Sequence, residues 1–365
     1  MLLRTIIFCF PLFLSVSSQW REQCRTPDRR IGVCVSLYEC TPILDFAGKI
    51  KRPVPQEIMQ YLRSFSCQTG QSSNIDKVCC PPGPIVFQQQ TNENQDILPK
   101  NCGYFSSNNR IVNGEDAALN EFPWMALIKY RTSRGRSKFL CGGSIIHKNY
   151  ILTAAHCLTG EIISVRVGEH DLRTEIDCEV VNKTRKCSPP VQEVSVEKII
   201  AHPDFSRQNL RNDIGLIRVS TIHFNEENIR PICLPQDDEK TKLFDAVYVA
   251  GWGVIDSVTR VSSNVLQKVR LPIASKANCS AAYRENNIQI IDSQLCAGGV
   301  DERDSCSGDS GGPMMVPTIR EQINIVFVQQ GVVSFGMTFC GTPGFPGVYT
   351  RVSYFMDWIL DNMRP

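Results

Sequence analysis

Cysteine placement constrains this chain more than any other feature. Of 365 residues, 17 are cysteine. Six of them, Cys24, Cys34, Cys40, Cys67, Cys79 and Cys80, crowd into the first part of the chain and end in an adjacent pair. A stretch this short cannot bury enough apolar surface to fold on a core alone, so it reads as a small stapled module. Six cysteines allow many pairings, and counting alone selects none of them.

The surrounding sequence fits an oxidising compartment. Residues 2–14, LLRTIIFCFPLFL, set one Arg before an apolar run too short to span a bilayer. The small residues Val16, Ser17 and Ser18 follow, which predicts a signal peptide over 1–18 and a mature start near Gln19. A membrane anchor is the alternative, but no later stretch is long and apolar enough to span, so a soluble secreted protein is expected. Losing Cys9 with the leader leaves an even number of cysteines, the count expected for disulfides. Zinc is the competing use of such sulfur, but there is no paired CxxC and only 5 His. A formal net charge of +2 without a long basic run argues against nucleic acid as a partner.

After Cys80 the run PPGPIVFQQQTNENQDILPKN opens in stiff proline-rich chain and continues polar, without helical or strand periodicity, and reads as an exposed linker. From Cys102 onward many short apolar or alternating runs appear, among them WMALIKY, SIIHKNYILTA, DIGLIRV, AVYVAGWG and INIVFVQQGVVSFG. Gly, Pro, Asn and Asp clusters separate them, the pattern of an antiparallel sandwich or barrel. The tail differs: Tyr354, Phe355, Trp358, Ile359 and Met363 recur at helical spacing, predicting a terminal helix over 353–363.

Three residues carry chemistry. Ser310 sits in Gly308-Asp-Ser-Gly-Gly-Pro313, where glycines let backbone approach a ligand closely. A serine hydroxyl is a poor nucleophile until a base activates it. His156, in Leu-Thr-Ala-Ala-His-Cys, is the candidate base; alone, a His beside a Cys is more often structural. Asp213, in Asn-Asp-Ile-Gly-Leu-Ile-Arg, is the candidate orienting acid, since a carboxylate opening an apolar strand is costly to bury unpaired; alone, it would be a solvated strand end. The chain order His, Asp, Ser is that of the chymotrypsin lineage and not of subtilisins or α/β-hydrolases.

With these residues in hand, 111–365 resembles a complete trypsin-like serine protease domain, carrying IVNG, TAAHC, DIGL, GWG, GDSGGP and PGVY in family order. Residues 19–80, with the cysteine core 24–80, resemble the clip domain of arthropod serine proteases, and 81–110 becomes linker and activation segment. The resemblance implies an all-β fold: a double six-stranded antiparallel β-barrel with a C-terminal helix behind a disulfide-stapled clip domain. It implies the bridges Cys24–Cys79, Cys34–Cys67, Cys40–Cys80, Cys102–Cys233, Cys141–Cys157, Cys178–Cys187, Cys279–Cys296 and Cys306–Cys340.

The same resemblance assigns roles. Ser310 is the nucleophile, His156 the base and Asp213 its orienting acid. Backbone N–H groups of Gly308 and Ser310 form the oxyanion hole, and Ser334 supports Asp213. Asp304 at the floor of the primary pocket, between walls kept open by Gly336 and Gly347, implies cleavage after Arg, then Lys. Arg110 before Ile111 marks an activation cut, after which the Ile111 amine pairs with Asp309. No cofactor is required for the chemistry. Structural calcium at Glu169, Asp171, the Thr174 carbonyl and Asp177 is implied, with a solvated acidic loop as the alternative. Sequons stand at Asn182 and Asn278.

The function implied is a secreted zymogen of an endopeptidase in an extracellular arthropod cascade of immunity, melanisation or development, similar to prophenoloxidase-activating and Easter-like proteases. Its partners would be protein substrates such as zymogens or cytokine precursors, an upstream trypsin-like activator and a serpin inhibitor, with haemolymph as the location. The rivals are a noncatalytic clip-domain adaptor, which the intact trio opposes, and a digestive trypsin, which needs no clip module.

Overall fold

The computed structural model describes residues 23–27, 30–50, 56–67, 77–85, 97–105, 115–236, 246–256, 259–286, 288–300, 306–320, 324–337 and 340–364. The leader, the Arg110–Ile111 bond and Asp304 lie outside the described residues. The chain divides into two units, Met1–Thr91 and Asn92–Pro365.

The first unit is a three-stranded antiparallel sheet of β1 (Gln23–Arg25), β2 (Ile31–Ser36) and β3 (Lys77–Cys80), with helices α1 (Thr41–Gly48) and α2 (Gln56–Arg63). Cys34 faces Cys79 across β2 and β3, so the cysteines meet at the sheet itself. The bridges are Cys24–Cys79, Cys34–Cys67 and Cys40–Cys80. Gly32 permits this crowding: a Cβ there would meet the Cys80 carbonyl oxygen at 2.5 Å. Among the described residues the core holds Cys40, Ile43, Phe65, Val78 and Ile85 as buried members, with Tyr61 edge-on to Phe65 at 5.2 Å. A core this small leaves the bridges to supply much of the stability.

The second unit contains two barrels. One closes through β5 (Met125–Arg131), β6 (Ser137–His147), β7 (Tyr150–Thr153), β12 (Gly215–Val219), β11 (Gln192–Ala201) and β8 (Ile162–Val167). The other runs β13 (Ala246–Gly251), β18 (Pro313–Arg320), β19 (Asn324–Phe335), β20 (Gly347–Arg351), β17 (Gln294–Ala297) and β16 (Gln267–Ala274), closed by β13 on β16. A short strand β4 (Glu115–Asp116) adds to β16. Two hairpins stand outside, β9 (Cys178–Val181) with β10 (Thr184–Cys187), and β14 (Val254–Asp256) with β15 (Val261–Ser262). Closing each sheet on itself removes its exposed edges and places the apolar face of every strand inside.

Three features differ from the sequence reading. The run after Cys80 is not exposed throughout: Ile85 joins the clip core, while Ile97, Leu98 and Phe105 pack on the core of the second unit. These lone apolar residues lack any period, so nothing local flags their burial. A third helix, α3 (Lys276–Tyr283), starts at Ser275, whose hydroxyl accepts the Asn278 N–H at 3.1 Å. The tail begins as a 3-10 turn, Val352–Phe355, before α4 (Met356–Asn362), and buries Phe355, Ile359 and Met363. Among the described residues no helix is long and apolar enough to cross a membrane.

Candidate active site

His156 lies on the 3-10 turn Ala155–Thr159, directly after β7. Ala154 and Ala155 are buried, and their small side chains let the turn press against the barrel. The Cys141–Cys157 bridge ties this turn to β6, and the buried Tyr130 hydroxyl donates to the Cys157 carbonyl at 2.7 Å. Burial pushes the Tyr130 hydroxyl well above its ordinary pKa, so it remains a donor.

Asp213 precedes β12 and is fully buried. Asn212 before it takes a left-handed φ of 54°, which Asn tolerates better than most residues. Its side-chain amide donates to the Asp204 carbonyl at 3.0 Å, fixing that turn. The Asp213 carboxylate then meets three partners. Oδ2 lies 2.7 Å from His156 Nδ1 and accepts the Ser334 hydroxyl at 2.5 Å, while Oδ1 accepts the His156 backbone N–H at 2.9 Å. Such a set fixes Nδ1 as the protonated nitrogen and leaves Nε2, on a ring about a quarter exposed, as the basic position.

Ser310 sits in the loop between Cys306 and β18, where Gly308 takes φ 105° and Gly311 φ 80°. A Cβ on Gly311 would strike Thr153 Oγ1 at 2.2 Å and the Gly142 carbonyl oxygen at 2.6 Å, so the loop can approach the first barrel only through glycine. Gly142 N–H donates to the Ser310 carbonyl at 2.8 Å, tying the two barrels at this residue. Cys157 Sγ lies 3.6 Å from both His156 Nε2 and the Ser310 carbonyl oxygen, so imidazole and serine crowd one sulfur. Cys141 and Cys157 share a disulfide and offer no thiolate to a metal.

The Asp309 carboxylate turns the other way. Its Oδ1 accepts the Gly253 N–H at 2.8 Å and its Oδ2 the Cys306 N–H at 2.9 Å. Burial nonetheless pushes its pKa up to about 6 against those two bonds, and no ion pair reaches it among the described residues. Gly251 and Gly253 make the space: a Cβ on either would come within 2.6 Å of the carboxylate oxygens.

Gly336 follows Phe335, whose ladder partner is Val348, and Gly347 opens β20, so both glycines flank one end of the β19–β20 ladder. The Cys306–Cys340 bridge closes that end. The remaining pairs are Cys102–Cys233, Cys178–Cys187 and Cys279–Cys296. Asn182 is exposed at the tip of the β9–β10 hairpin, and Asn278 is exposed in the first turn of α3.

In the acidic loop, Glu169 and Asp177 are both buried, and both accept the His170 N–H, at 3.0 and 2.9 Å. Arg166 pairs with Glu169 at 3.1 Å, yet burial first and the Asp177 charge after it raise the Glu169 pKa. Thr174 Oγ1 donates to Asp177 Oδ1, whereas the Asp171 carboxylate is held by Arg173 at 2.7 Å. Two converging buried carboxylates with one counter-charge among the described residues suit a hard cation; Asp171 could join only by releasing Arg173.

Other groups in the site carry no sequence signal of their own. The Thr350 hydroxyl donates to the Asp213 carbonyl at 2.7 Å. Lys268 and Glu121 form a buried ion pair at 2.8 Å beside the β4–β16 pairing. Gly253 stands in GWG, and Gly142 in the Cys-Gly-Gly run, but neither motif says which N–H is used.

The comparisons with known proteins agree with this geometry. The trypsin family matches residues 111–359, and the regulatory CLIP domain of proteinases matches 24–80. The chain belongs to the trypsin family and is a clip-domain serine endopeptidase. It is 36% identical to phenoloxidase-activating factor 3 of Holotrichia diomphalia, covering 96% of each chain. It is also 36% identical to serine protease grass of Drosophila melanogaster, over 96% of this chain and 93% of the relative. The crystal structure of the Drosophila Grass clip serine protease of the Toll pathway is similar at a TM-score of 0.66, over 94% of this chain and 97% of that one.

Proposed function

We propose that this is a secreted zymogen that, once cut between Arg110 and Ile111, cleaves protein substrates after Arg, and less readily after Lys. The observation that carries the chemistry is the 2.7 Å contact from His156 Nδ1 to buried Asp213, with His156 Nε2 and the Ser310 backbone carbonyl each 3.6 Å from the Cys157 sulfur. Ser310 Oγ attacks the peptide carbonyl while His156 Nε2 takes its proton; the imidazolium then protonates the leaving amine as the acyl-enzyme forms. Water repeats the sequence in reverse roles and frees the acid. Backbone N–H groups of Gly308 and Ser310 hold the oxyanion, where one lost donor typically costs about 2.7–4 kcal/mol of barrier. Asp304, with Gly336 and Gly347, receives the guanidinium of the substrate.

The raised pKa of Asp309 supports the activation step. A buried carboxylate lacking a cation is a standing cost, and the new Ile111 ammonium would relieve it. After the cut, Cys102–Cys233 keeps the two chains joined. Eight bridges suit an extracellular compartment, and the phenoloxidase and Toll relatives favour a cascade role with an upstream trypsin-like activator, zymogen or cytokine-precursor substrates and a serpin inhibitor. Calcium at Glu169, Asp177, Asp171 and the Thr174 carbonyl would be a structural ion, and Asn182 and Asn278 are the glycan acceptors. Isothermal titration without heat and without a melting shift removes the calcium assignment.

The whole reading is tested by cutting the purified precursor with trypsin, then labelling with a fluorophosphonate and assaying peptides carrying Arg, Lys or Leu before the scissile bond. Labelling of Ser310 only after the cut, with Arg fastest, is the expected result. Equal labelling of uncut protein sinks the zymogen assignment, and no labelling at all returns the adaptor.

A further inference from the structure

We propose that the β5–β6 hairpin is a docking surface for an acidic segment of the protein substrate, a surface that rests on the peptidase reading and narrows its substrate class. Five cations, Lys129, Arg131, Arg134, Arg136 and Lys138, fall within ten residues of a chain whose formal net charge is only +2. Two of them are neutralised locally: Lys129 meets Glu193, and Arg131 meets Glu161, each at 2.7 Å. Arg134, Arg136 and Lys138 are exposed and make no ion pair among the described residues. Their charge is therefore available to a partner.

The backbone presents these cations from a fixed turn. Thr132 donates both its N–H and its hydroxyl to the Arg136 carbonyl, at 2.7 and 2.8 Å, and Gly135 at φ 76° donates back to the Thr132 carbonyl at 2.8 Å. Phe139 is capped by the Arg166 guanidinium at 5.1 Å, while Leu140, next along the strand, is 52% exposed. Free cations thus adjoin an uncovered apolar side chain, the composition of an interface rather than of a plain solvated face.

Position links this surface to the reaction. Leu140 is followed by Cys141, bridged to the residue beside His156, and by Gly142, whose N–H bonds the Ser310 carbonyl at 2.8 Å. At about 3.3 Å per residue, Lys138 lies roughly 13 Å along β6 from Gly142, and Arg136 stands in the turn just before the strand. An extended substrate lying along β6 from Ser310 brings residues about four to six places from its cut bond to these cations. Acidic side chains there, with an apolar one over Leu140, complement the surface.

Binding and turnover test it separately. A fluorescent peptide of alternating Glu and Leu, free of Arg and Lys, should bind the uncut full-length protein. Its affinity should fall about fivefold or more in an Arg134→Gln/Arg136→Gln/Lys138→Gln variant of unchanged melting temperature, and again in high salt. No turnover is needed, so failure of the peptidase reading leaves this result standing. In the cut enzyme, a substrate with Glu at the fourth to sixth places should exceed its Gln twin in kcat/KM about fivefold, with the difference gone in the triple variant and the Gln twin cleaved equally by both. Undiminished peptide binding by the variant overturns the proposal, as does loss of Gln-twin turnover. So does capture of a heparin oligosaccharide by a hairpin that ignores the peptide.

Discussion

Asp213 and Asp309 are the same residue type in two neighbouring regions of one domain, and they are finished to different degrees. Asp213 is fully buried and meets an imidazole, a hydroxyl and a backbone N–H. Asp309 meets two backbone N–H groups and no cation among the described residues, and its pKa is pushed up to about 6. The acid–base half of the site therefore has its partners in place, while the loop that carries Ser310 rests on a carboxylate without a counter-charge among the described residues. Glu121 offers a second comparison: it is buried and matched by Lys268 at 2.8 Å. Asp213 and Glu121 each have a side-chain partner, and Asp309 has none among the described residues.

The sharpest test removes the charge from the finished side. Asp213→Asn keeps the shape but offers Nδ1 the wrong partner, and kcat of the cut enzyme should drop about 10⁴-fold, the size this change has in chymotrypsin-like enzymes. Steady-state cleavage of an Arg peptide measures it, and a loss below tenfold would mean that Asp213 does not hold the tautomer. Next in size, Lys268→Met should turn Glu121 into a second unmatched carboxylate. Urea unfolding of the uncut protein should show about 3–5 kcal/mol lost, since removing one partner of a buried pair strands the other. An unchanged midpoint would show that a buried carboxylate here needs no cation, and the contrast with Asp309 would collapse.

Asp309→Asn should act in opposite directions on the two forms of the protein. In the cut enzyme it removes the acceptor for the Ile111 amine, and kcat should fall about 10²–10³-fold, comparable to losing an oxyanion donor. In the precursor it replaces an uncompensated carboxylate by a neutral group, so the protein should melt higher at pH 7. The sign of the pH dependence follows from the raised value. Asp309 goes from 3.8 unfolded to about 6 folded, so the folded state binds more proton between them, and this group's contribution to stability is lost as pH rises through about 6. Melting curves from pH 4 to 7 should show that slope in the parent and not in the variant. A variant that melts lower at pH 7 than the parent refutes the unmatched-charge account.

How much of this was legible in the sequence follows from what each feature depends on. The barrels announce themselves because short alternating runs between Gly, Pro and Asn clusters have a period of two. His156, Asp213 and Ser310 stand out through their motifs, and resemblance to the family supplies their order. Partner choice is another matter. That Gly253 and Cys306 N–H groups serve Asp309, or that Lys268 reaches Glu121, depends on segments distant in sequence meeting in space. Ile85, Ile97 and Leu98 were hidden for a related reason: single apolar residues in a polar run have no period, and only the neighbouring cores make them buried. Helix α3 is short and depends on the Ser275 cap, a local signal overshadowed by the strands around it.

The smallest expected effect lies within the finished side and asks how that side is assembled. Ser334 falls where the β19–β20 register shifts between Val333 and Phe335, so the strand carries one residue out of the ladder. Freed from alternation, its side chain reaches the Asp213 carboxylate at 2.5 Å instead of facing a neighbour on β20. Ser334→Ala keeps the backbone and deletes only the hydroxyl. A hydrogen bond to a charged group is worth about 1.5–3 kcal/mol, so kcat of the cut enzyme should fall by roughly 10- to 10²-fold with KM unchanged, because the bond acts on the imidazolium formed during reaction. The pH slope assigned to Asp309 should survive intact, since nothing in that pocket has changed. If Ser334→Ala removed the slope as well, the two aspartates would be one coupled system rather than a finished device beside an unfinished one.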